Sequence, residues 1–192
     1  MIRIPEDGIL YHGSYIEVSK IDLGLCREGL DFGKGFYLTS SFEQALSYVP
    51  ASVKKAKRRG ILPETFQNKN GKVSVFQFIP TPNLSVYCFA DADKEWLHFT
   101  ACNRNRNLFP ELREKFSKVD IIGGKVADDL TAVTLNNYVS GTYGEPGSET
   151  ADRIAIELLE PERLKDQFCF RTEAAIQQLR FIRSERYDKS FK

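Results

Sequence analysis

His12 is one of only two histidines in the sequence, and its setting favours a functional role. Residues 9–12 form a short apolar run that is typical of a strand, and Gly13 and Ser14 follow directly. A polar side chain at a strand end lies on a rigid support beside a loop, where binding and catalytic residues concentrate. The other histidine, His98, lies in a predicted helix among apolar neighbours, so we expect a packed structural residue.

A second candidate region is the segment 31–39, in which Gly33 and Gly35 precede Tyr37. Two glycines at this spacing allow a sharp turn or the close approach of the backbone to a ligand. They precede a strand and do not join a strand to a helix, so they do not form a triphosphate-binding loop. Taken alone, the glycine pair is typical of a hairpin, and Tyr37 is typical of a core aromatic residue.

The elements that would position these residues mix strands and helices without a βαβ repeat. Strands are predicted over residues 9–12, 36–39, 73–79, 84–89, 119–123, 167–171 and 181–187. Helices are predicted after the serine cap at Ser40 and Ser41, with an interruption at Pro50, and over residues 93–103, 128–139, 150–159 and 172–179. With no GxGxxG loop, this pattern predicts an α+β fold in one domain over residues 1–188, followed by a short tail at residues 189–192.

The charge balance and the apolar runs argue against several classes of protein. Lys and Arg total 27 and Asp and Glu total 26, so the net charge of +1 argues against a whole-surface nucleic-acid binder. The apolar runs are shorter than the roughly 18–20 residues of a membrane-spanning helix, and the first residues do not resemble a secretory signal. The four cysteines are scattered without a metal-binding spacing. We therefore expect a cytoplasmic protein with reduced thiols, no metal ion and no membrane partner.

Taken together, the two candidate regions are much more specific than either is alone. Residues 11–14, residues 32–37 and Tyr48, which follows Tyr37 after ten intervening residues, resemble the NAD-binding core of one superfamily. These are the ADP-ribosyltransferases of the diphtheria-toxin-like and poly-ADP-ribose-polymerase-like kind. In that superfamily a strand-end histidine, a Gly-x-Gly-aromatic-Tyr strand and a helical tyrosine form the NAD site. This broad resemblance covers mainly residues 11–48.

A narrower resemblance covers most of the chain. The segments that carry it are His12-Gly13-Ser14, residues 31–39, Trp96-Leu97-x-Phe99, residues 124–129 and Gln167-x-x-Phe170-x-Thr172. Together they look like a bacterial family of uncharacterised ADP-ribosyltransferase-like proteins, DUF3990, some of which look like toxins of toxin–antitoxin pairs. The resemblance implies the ADP-ribosyltransferase fold, with two small packed β-sheets and peripheral helices around an NAD cleft.

The implied activity is mono-ADP-ribosyl transfer from the co-substrate NAD⁺ to a protein or nucleic-acid acceptor, with release of nicotinamide. An antitoxin protein would be a further partner. By resemblance, the catalytic residues are His12, Tyr37 and Gln167. The residues expected to bind NAD⁺ are His12, Gly13, Ser14, Arg27, Tyr37 and Tyr48. In these roles His12 would hydrogen-bond a ribose hydroxyl, and the Gly13 backbone would pair with the nicotinamide carboxamide.

The two tyrosines suit a nicotinamide ring held between them. Offset aromatic stacking adds about 0.5–1.5 kcal/mol beyond burial, and the cationic nicotinamide of NAD⁺ gains a cation–π attraction between Tyr37 and Tyr48. That attraction is lost when neutral nicotinamide leaves, so the rate must come from stabilising the oxocarbenium-like ribose. Arg27 is a weaker candidate, for the NAD⁺ pyrophosphate, because a guanidinium suits bidentate phosphate contact.

Gln167 is the main departure from the relatives, which carry a glutamate at the head of this late strand to contact the ribose 2′-hydroxyl. An amide orients the ribose but offers no full negative charge to the developing cation. Weaker turnover, a substitute carboxylate such as Glu173, and loss of activity are therefore all open. Loss of activity would leave a non-catalytic module that binds NAD⁺ or ADP-ribose. A second departure is Ala45, where polymerase-like members carry a serine that contacts nicotinamide.

Three further alternatives are open. An RNA 2′-phosphotransferase shares the superfamily fold and consumes NAD⁺, but it normally uses additional histidine and arginine residues that we do not find here. Asp128-Asp129 is either an acidic pair of the site or a helix cap, and capping is sufficient to explain it. The basic run at residues 54–59 is either a solvated helix face or a surface that steers a nucleic-acid or acidic protein acceptor.

Overall fold

Seven β-strands and six α-helices occur in residues 3–126, 129–160 and 164–187, which are the residues that the structure, a computed structural model, describes. The strands are β1 (Ile9–Ser14), β2 (Phe36–Leu38), β3 (Lys72–Phe78), β4 (Val86–Cys88), β5 (Ile121–Lys125), β6 (Asp166–Phe170) and β7 (Leu179–Arg186). The helices are α1 (Phe42–Arg58), α2 (Lys94–Arg104), α3 (Pro110–Lys115), α4 (Asp129–Val139), α5 (Glu149–Leu159) and α6 (Glu173–Ile176). The predicted cap at Asp128 and the predicted tail at residues 189–192 lie outside the described residues, as does the predicted domain end at residue 188.

The strands form two small sheets, so the predicted α+β class and the two sheets implied by the resemblance are confirmed. The first sheet has the order β1-β3-β7 and is antiparallel. The second has the order β2-β6-β5-β4, in which only β4 and β5 run parallel among the described strands. A backbone bridge joins the two sheets, since Tyr11 N–H donates to Thr39 O at 2.8 Å and Thr39 N–H to Tyr11 O at 3.0 Å. β1 and β2 therefore meet at a shared corner of the fold.

Aromatic side chains fill the layer between the two sheets. Phe78 of β3 contacts Phe170 of β6 edge to face, with 5.4 Å between ring centroids. Phe36 of β2 contacts Phe76 of β3 in the same way at 5.6 Å, and all four rings are buried. Successive residues of a strand point to opposite faces, so β6 contributes alternate residues to this layer and the residues between them to the layer beyond.

Helices cover the outer face of each sheet. α1 packs an apolar stripe that includes Val49 and Val53 against Val73 of the first sheet. α2, α4 and α5 cover the second sheet, where Phe32 and Trp96 are fully buried. None of the described helices has both the length and the apolar character needed to cross a lipid bilayer.

α1 runs without interruption through Pro50, so the predicted break is wrong. Proline removes one helical hydrogen bond, and its ring crowds the carbonyl group four residues earlier. Residues on both sides of the proline, such as Leu46 and Val53, are buried against the first sheet, and their burial outweighs the local penalty. The predicted serine cap is confirmed, because Ser41 Oγ accepts a hydrogen bond from Gln44 N–H at 3.2 Å.

Several other predicted boundaries shift. α3 was not predicted because no ordinary capping residue precedes it: Phe109 takes the cap position in a left-handed conformation, with φ of 47°. The helix predicted over residues 172–179 is only the short α6, since β7 begins three residues after it ends. β4 is shorter than the predicted strand, and β5 begins two residues later than predicted and extends further along the chain.

The four cysteines are free thiols, of which Cys102 and Cys169 are buried. Burial raises the pKa of Cys102 to about 11 and that of Cys169 to about 12, so both stay protonated near neutral pH. In the part of the chain that the structure describes, no three His, Cys, Asp or Glu side chains are grouped as metal ligands.

Candidate functional site

The three predicted catalytic residues, His12, Tyr37 and Gln167, lie on neighbouring strands. β1 carries His12 and meets β2, which carries Tyr37, at the backbone bridge between the sheets. β2 pairs with β6, where Tyr37 lies opposite Cys169. Gln167 precedes Cys169 by two residues and shares its face, and diagonal neighbours on one face are roughly 7–8 Å apart in a regular sheet. The structure thus brings the three residues to one corner of the fold.

The hydrogen bond made by the His12 ring fixes its tautomer. His12 Nδ1 lies 2.8 Å from the carbonyl oxygen of Tyr37, and a carbonyl only accepts, so Nδ1 carries the proton. Burial lowers the pKa of His12 below its usual 6.5, against the opposing effect of this hydrogen bond, so the ring is neutral near pH 7. A neutral ring protonated at Nδ1 leaves Nε2 as an acceptor. His12 is therefore set to accept a hydrogen bond from a bound hydroxyl group.

β1 and β2 diverge next to the bridge between Tyr11 and Thr39. Continuing the antiparallel ladder would pair Gly13 with Tyr37, but this second bridge does not form within the described strands. The Tyr37 carbonyl oxygen accepts from the His12 ring in its place. The backbone groups of Gly13 point to the same side of β1 as those of Tyr11, so they face the gap between the strands. The gap therefore contains the amide donor and the carbonyl acceptor of Gly13.

Gly13 also allows α1 to pack closely on β1. A Cβ atom at this position would lie 1.9 Å from the backbone oxygen of Ala45, so a larger residue would displace the helix. Ser14 is buried and lies opposite Lys72 of β3. β1 therefore continues two residues past its predicted end at His12, and the predicted turn at Gly13 and Ser14 is part of the sheet.

The Tyr37 side chain holds the preceding glycine loop against the second sheet. Its hydroxyl donates to Gly33 O at 2.7 Å and accepts from Phe32 N–H at 3.0 Å, and its ring stacks on Phe32 with centroids 6.5 Å apart. Burial raises the pKa of Tyr37 well above its usual range, with nearby Cys169 and Asp31 adding to the effect, so the phenol stays protonated. Because the hydroxyl is used within the chain, a ligand would contact Tyr37 through its half-buried ring.

Contacts and backbone conformation within the chain explain why residues 33 and 35 are glycines. Gly33 has φ of +81°, in the left-handed region that favours glycine, so the predicted sharp turn is present there. A Cβ atom at Gly35 would lie 2.5 Å from Cys169 Sγ and 2.7 Å from the backbone oxygen of Phe170. The close backbone approach at Gly35 is therefore an approach to β6.

Gln167 lies next to Asp31, a carboxylate for which no role is predicted from the sequence. Gln167 is 8% exposed, and its Nε2 lies 3.5 Å from Asp31 Oδ2 and 3.4 Å from the carbonyl oxygen of Lys125. Arg104 holds the carboxylate in turn, with Nη2 and Nε 2.6 and 3.0 Å from Asp31 Oδ1. Glu173 is exposed at the start of α6, beyond the opposite end of β6. Asp31, and not Glu173, is the carboxylate beside Gln167.

Tyr48 and Arg27 are not on the strands that carry His12, Tyr37 and Gln167. Tyr48 is 45% exposed on α1, its hydroxyl accepts from Lys55 Nζ at 3.0 Å, and the same ammonium lies 5.0 Å from the ring centroid. The rings of Tyr37 and Tyr48, both within the described ranges, do not contact each other. Arg27 is exposed in the loop before β2. Their contacts with nicotinamide and pyrophosphate stay predictions.

A comparison with protein-family models assigns the chain to a family. The model described as "Protein of unknown function (DUF3990)" matches residues 9–181, from the first residue of β1 into β7. The chain belongs to the DUF3990 family. The matched range of this DUF3990 protein includes every strand of the corner described above. Comparison with curated proteins and with solved structures gives no match.

The second histidine of the DUF3990 chain is a structural residue, as predicted. His98 Nε2 lies 2.9 Å from both carboxylate oxygens of Asp152, and its ring stacks on Phe109 at 3.9 Å between centroids. Tyr138 Oη donates to Asp152 at 2.5 Å, and Lys94 Nζ lies 3.1 Å from the same carboxylate. Burial alone would raise the pKa of Asp152, but these hydrogen bonds hold it below its usual range. The cluster joins α2, α4 and α5.

The basic run of the DUF3990 chain lines a cavity of about 390 Å³ beside the second half of α1. Lys54, Lys57 and Arg58 form part of its wall, together with Glu64. Lys57 Nζ donates to the backbone oxygen of Glu64. Positive charge is favoured near the C-terminal end of a helix, where carbonyl groups lack helical partners, so the run has a structural explanation. Its role toward an acceptor stays a prediction.

Proposed function

We propose that this DUF3990 protein transfers ADP-ribose from NAD⁺ to a macromolecular acceptor and releases nicotinamide. The observation that carries the proposal is the corner where β1 and β2 diverge. A neutral imidazole with a fixed tautomer lies there, backbone groups of Gly13 face the gap, and Gln167 lies on the adjoining strand. These placements agree with the roles that the resemblance gives to His12 and Gln167.

The nicotinamide riboside half of NAD⁺ has groups that match this corner. His12 Nε2 accepts a hydrogen bond from a ribose hydroxyl, because Nδ1–H is already used by the Tyr37 carbonyl. The nicotinamide carboxamide has one acceptor oxygen and a donor nitrogen, which complement the N–H and C=O of Gly13. The nicotinamide ring packs on Tyr37, and Tyr48 covers its other face after leaving Lys55.

The transfer breaks the bond between ribose C1′ and the nicotinamide nitrogen. The bonding electron pair stays on that nitrogen, so nicotinamide leaves as a neutral molecule and the ribose becomes an oxocarbenium-like cation. A lone pair of the acceptor then forms the new bond to C1′, and the acceptor releases its proton to solvent. Only groups that bind the cation better than they bind NAD⁺ raise the rate, and Gln167 is the residue assigned to the ribose.

Incubation of the purified protein with NAD⁺ labelled in its adenylate half, in the presence of a cell lysate, tests the proposal. We expect the label on protein or nucleic acid and an equal amount of free nicotinamide. His12→Asn keeps a donor for the Tyr37 carbonyl but has no counterpart of Nε2, so it should lose both signals. Lys69→Ala, in an exposed turn, is the control and should keep both. Neither label nor nicotinamide from the unaltered protein would refute the proposal.

A second candidate function is binding of NAD⁺ or ADP-ribose without transfer. The amide at Gln167, where the resembled enzymes carry a carboxylate, is the observation that favours it. Titration calorimetry that shows NAD⁺ binding, together with no nicotinamide after prolonged incubation with lysate, would select this function over transfer.

A further inference from the structure

We propose that Asp31 is a positioning residue for the transfer, providing through Gln167 the negative charge that a glutamine at this strand position lacks. The inference rests on the proposed function and deepens it by naming a residue that acts on the ribose through Gln167. Asp31 and Gln167 are 136 positions apart in the chain, and the pairing of β2 with β6 brings them together.

The two oxygens of the Asp31 carboxylate have different partners. Oδ1 accepts from Arg104 Nη2 at 2.6 Å and from Arg104 Nε at 3.0 Å. Oδ2 lies 3.5 Å from Gln167 Nε2, so the amide nitrogen approaches the oxygen that Arg104 leaves unused. The same nitrogen lies 3.4 Å from the Lys125 carbonyl oxygen, which gives its second hydrogen an acceptor. With Nε2 directed at two protein acceptors, Oε1 is the amide atom left for the ribose.

The loop around Asp31 is held so that its carboxylate stays beside Gln167. Asn103 Nδ2 donates to the Asp31 backbone oxygen at 3.1 Å and to Phe99 O at 2.9 Å. The next residue, Phe32, is fully buried, and its N–H donates to the Tyr37 hydroxyl at 3.0 Å. Bonds from α2 and from β2 therefore fix the segment on both sides.

The chemical consequence follows from the charge on the acceptor of the Gln167 amide. An N–H that donates to a carboxylate makes a stronger hydrogen bond than one that donates to a neutral group, and it polarises the amide. The polarised Oε1 is a better acceptor for the ribose 2′-hydroxyl, whose demand grows as positive charge develops at C1′. The effect belongs to the transition state, so it should change kcat more than KM.

Three variants test the inference by the kinetics of nicotinamide release. Asp31→Asn keeps an oxygen acceptor for Arg104 but removes the charge, so kcat should fall about 10- to 100-fold, with KM for NAD⁺ changed less than about threefold. Gln167→Glu places two carboxylates side by side and should also lose activity. The double variant D31N/Q167E restores one amide and one carboxylate with their positions exchanged, and it should recover kcat to within about threefold of the unaltered protein.

Asp22→Asn is the matched control, because Asp22 is an exposed aspartate that caps a turn in the loop before β2. Its kcat should be unchanged. Thermal melting checks that each variant folds, and if D31N does not fold, Gln167→Glu alone decides the question. An increase of kcat in Q167E would overturn the inference, since a glutamate would then work without the help of Asp31.

Recovery in the double variant is the result that a merely structural Asp31 would not give. If D31N keeps full kcat, or if D31N/Q167E stays as inactive as D31N, the inference is wrong while the proposed function stands. If the unaltered protein releases no nicotinamide, the proposed function is wrong and the inference falls with it.

Discussion

The two histidines differ in which ring atoms the chain itself uses. His12 donates from Nδ1 to a neutral backbone carbonyl, and Nε2 is left as an acceptor beside the gap between β1 and β2. His98 directs Nε2 at the carboxylate of Asp152, and its ring lies flat on Phe109. The His12 ring also packs on a phenylalanine, Phe36, with 4.5 Å between centroids, so the difference lies in the hydrogen-bond partner. An imidazole oriented by one neutral carbonyl can still bind a ligand, whereas one held by a buried carboxylate stabilises the fold.

Replacing His12 should give the largest effect on activity. With His12→Asn we expect kcat/KM for nicotinamide release to fall about 100-fold or more, because the imidazole acceptor proposed for a ribose hydroxyl is lost. The free energy of unfolding should change by less than about 1 kcal/mol, since the bond to the Tyr37 carbonyl can be remade. Steady-state kinetics and urea unfolding measure the two quantities, and an unchanged rate would make His12 a second structural histidine.

Replacing His98 should have the opposite outcome. His98→Leu leaves the carboxylate of Asp152, whose side chain is 5% exposed, without one of its partners, so the free energy of unfolding should fall by about 2–3 kcal/mol. Well below the melting temperature, kcat should stay within about threefold of the unaltered value, because Asn103 and Arg104, which hold Asp31, lie more than one helical turn beyond His98 on α2. Urea unfolding measures the loss, and full stability in this variant would contradict the structural role.

Tyr37→Phe separates the ring of Tyr37 from its hydroxyl. The variant loses the hydrogen bonds to Gly33 O and from Phe32 N–H, so we expect the free energy of unfolding to fall by about 1 kcal/mol. The ring proposed to pack on nicotinamide is kept, so kcat should change little, while the loss of the two bonds that hold the glycine loop should raise KM for NAD⁺ several-fold. A large fall in kcat would show that the hydroxyl takes part in the reaction.

The smallest expected effect is on the pH dependence of stability, and it comes from His12. Unfolded His12 binds its proton near pH 6.5, whereas burial lowers the folded pKa, so the unfolded chain holds more protons between these values. The contribution of neutral His12 is fully present above pH 6.5 and is lost as the pH falls toward the folded pKa. We expect His12→Asn to remove this part of the acid sensitivity in urea titrations, and an unchanged profile would place the effect elsewhere.

The strands and helices that carry the corner follow from local sequence signals. Local signals correctly predicted three of these elements: α1 from its cap at Ser41, β1 from the apolar run before His12, and β2 from the aromatic residues around Tyr37. The break predicted at Pro50 was wrong because helix propensity is a local property. α1 is instead stabilised by the burial of residues on both sides of the proline against the first sheet. α3 was missed because its start, at Phe109, has no side chain that caps the helix.

The role of Asp31 at the candidate site could not be predicted from the sequence. The residue stood within the glycine motif, but its role depends on Gln167 and Arg104, which approach it only after β2 has paired with β6 and α2 has packed on the sheet. No local pattern encodes that register. Glu173, the carboxylate predicted from the sequence as a substitute, lies beyond the other end of the strand.

The His12 ring also affects how the two strands would pair if its side chain were removed. Its bond to Tyr37 O occupies the place where Gly13 N–H would otherwise continue the ladder that begins at Tyr11 and Thr39. The imidazole thus keeps the two strands apart, and without it Gly13 could pair with Tyr37 and extend the ladder by one residue pair. In the variant His12→Gly this extra pairing would close the gap between β1 and β2. Free imidazole would then have no place to bind, so adding it should not restore turnover.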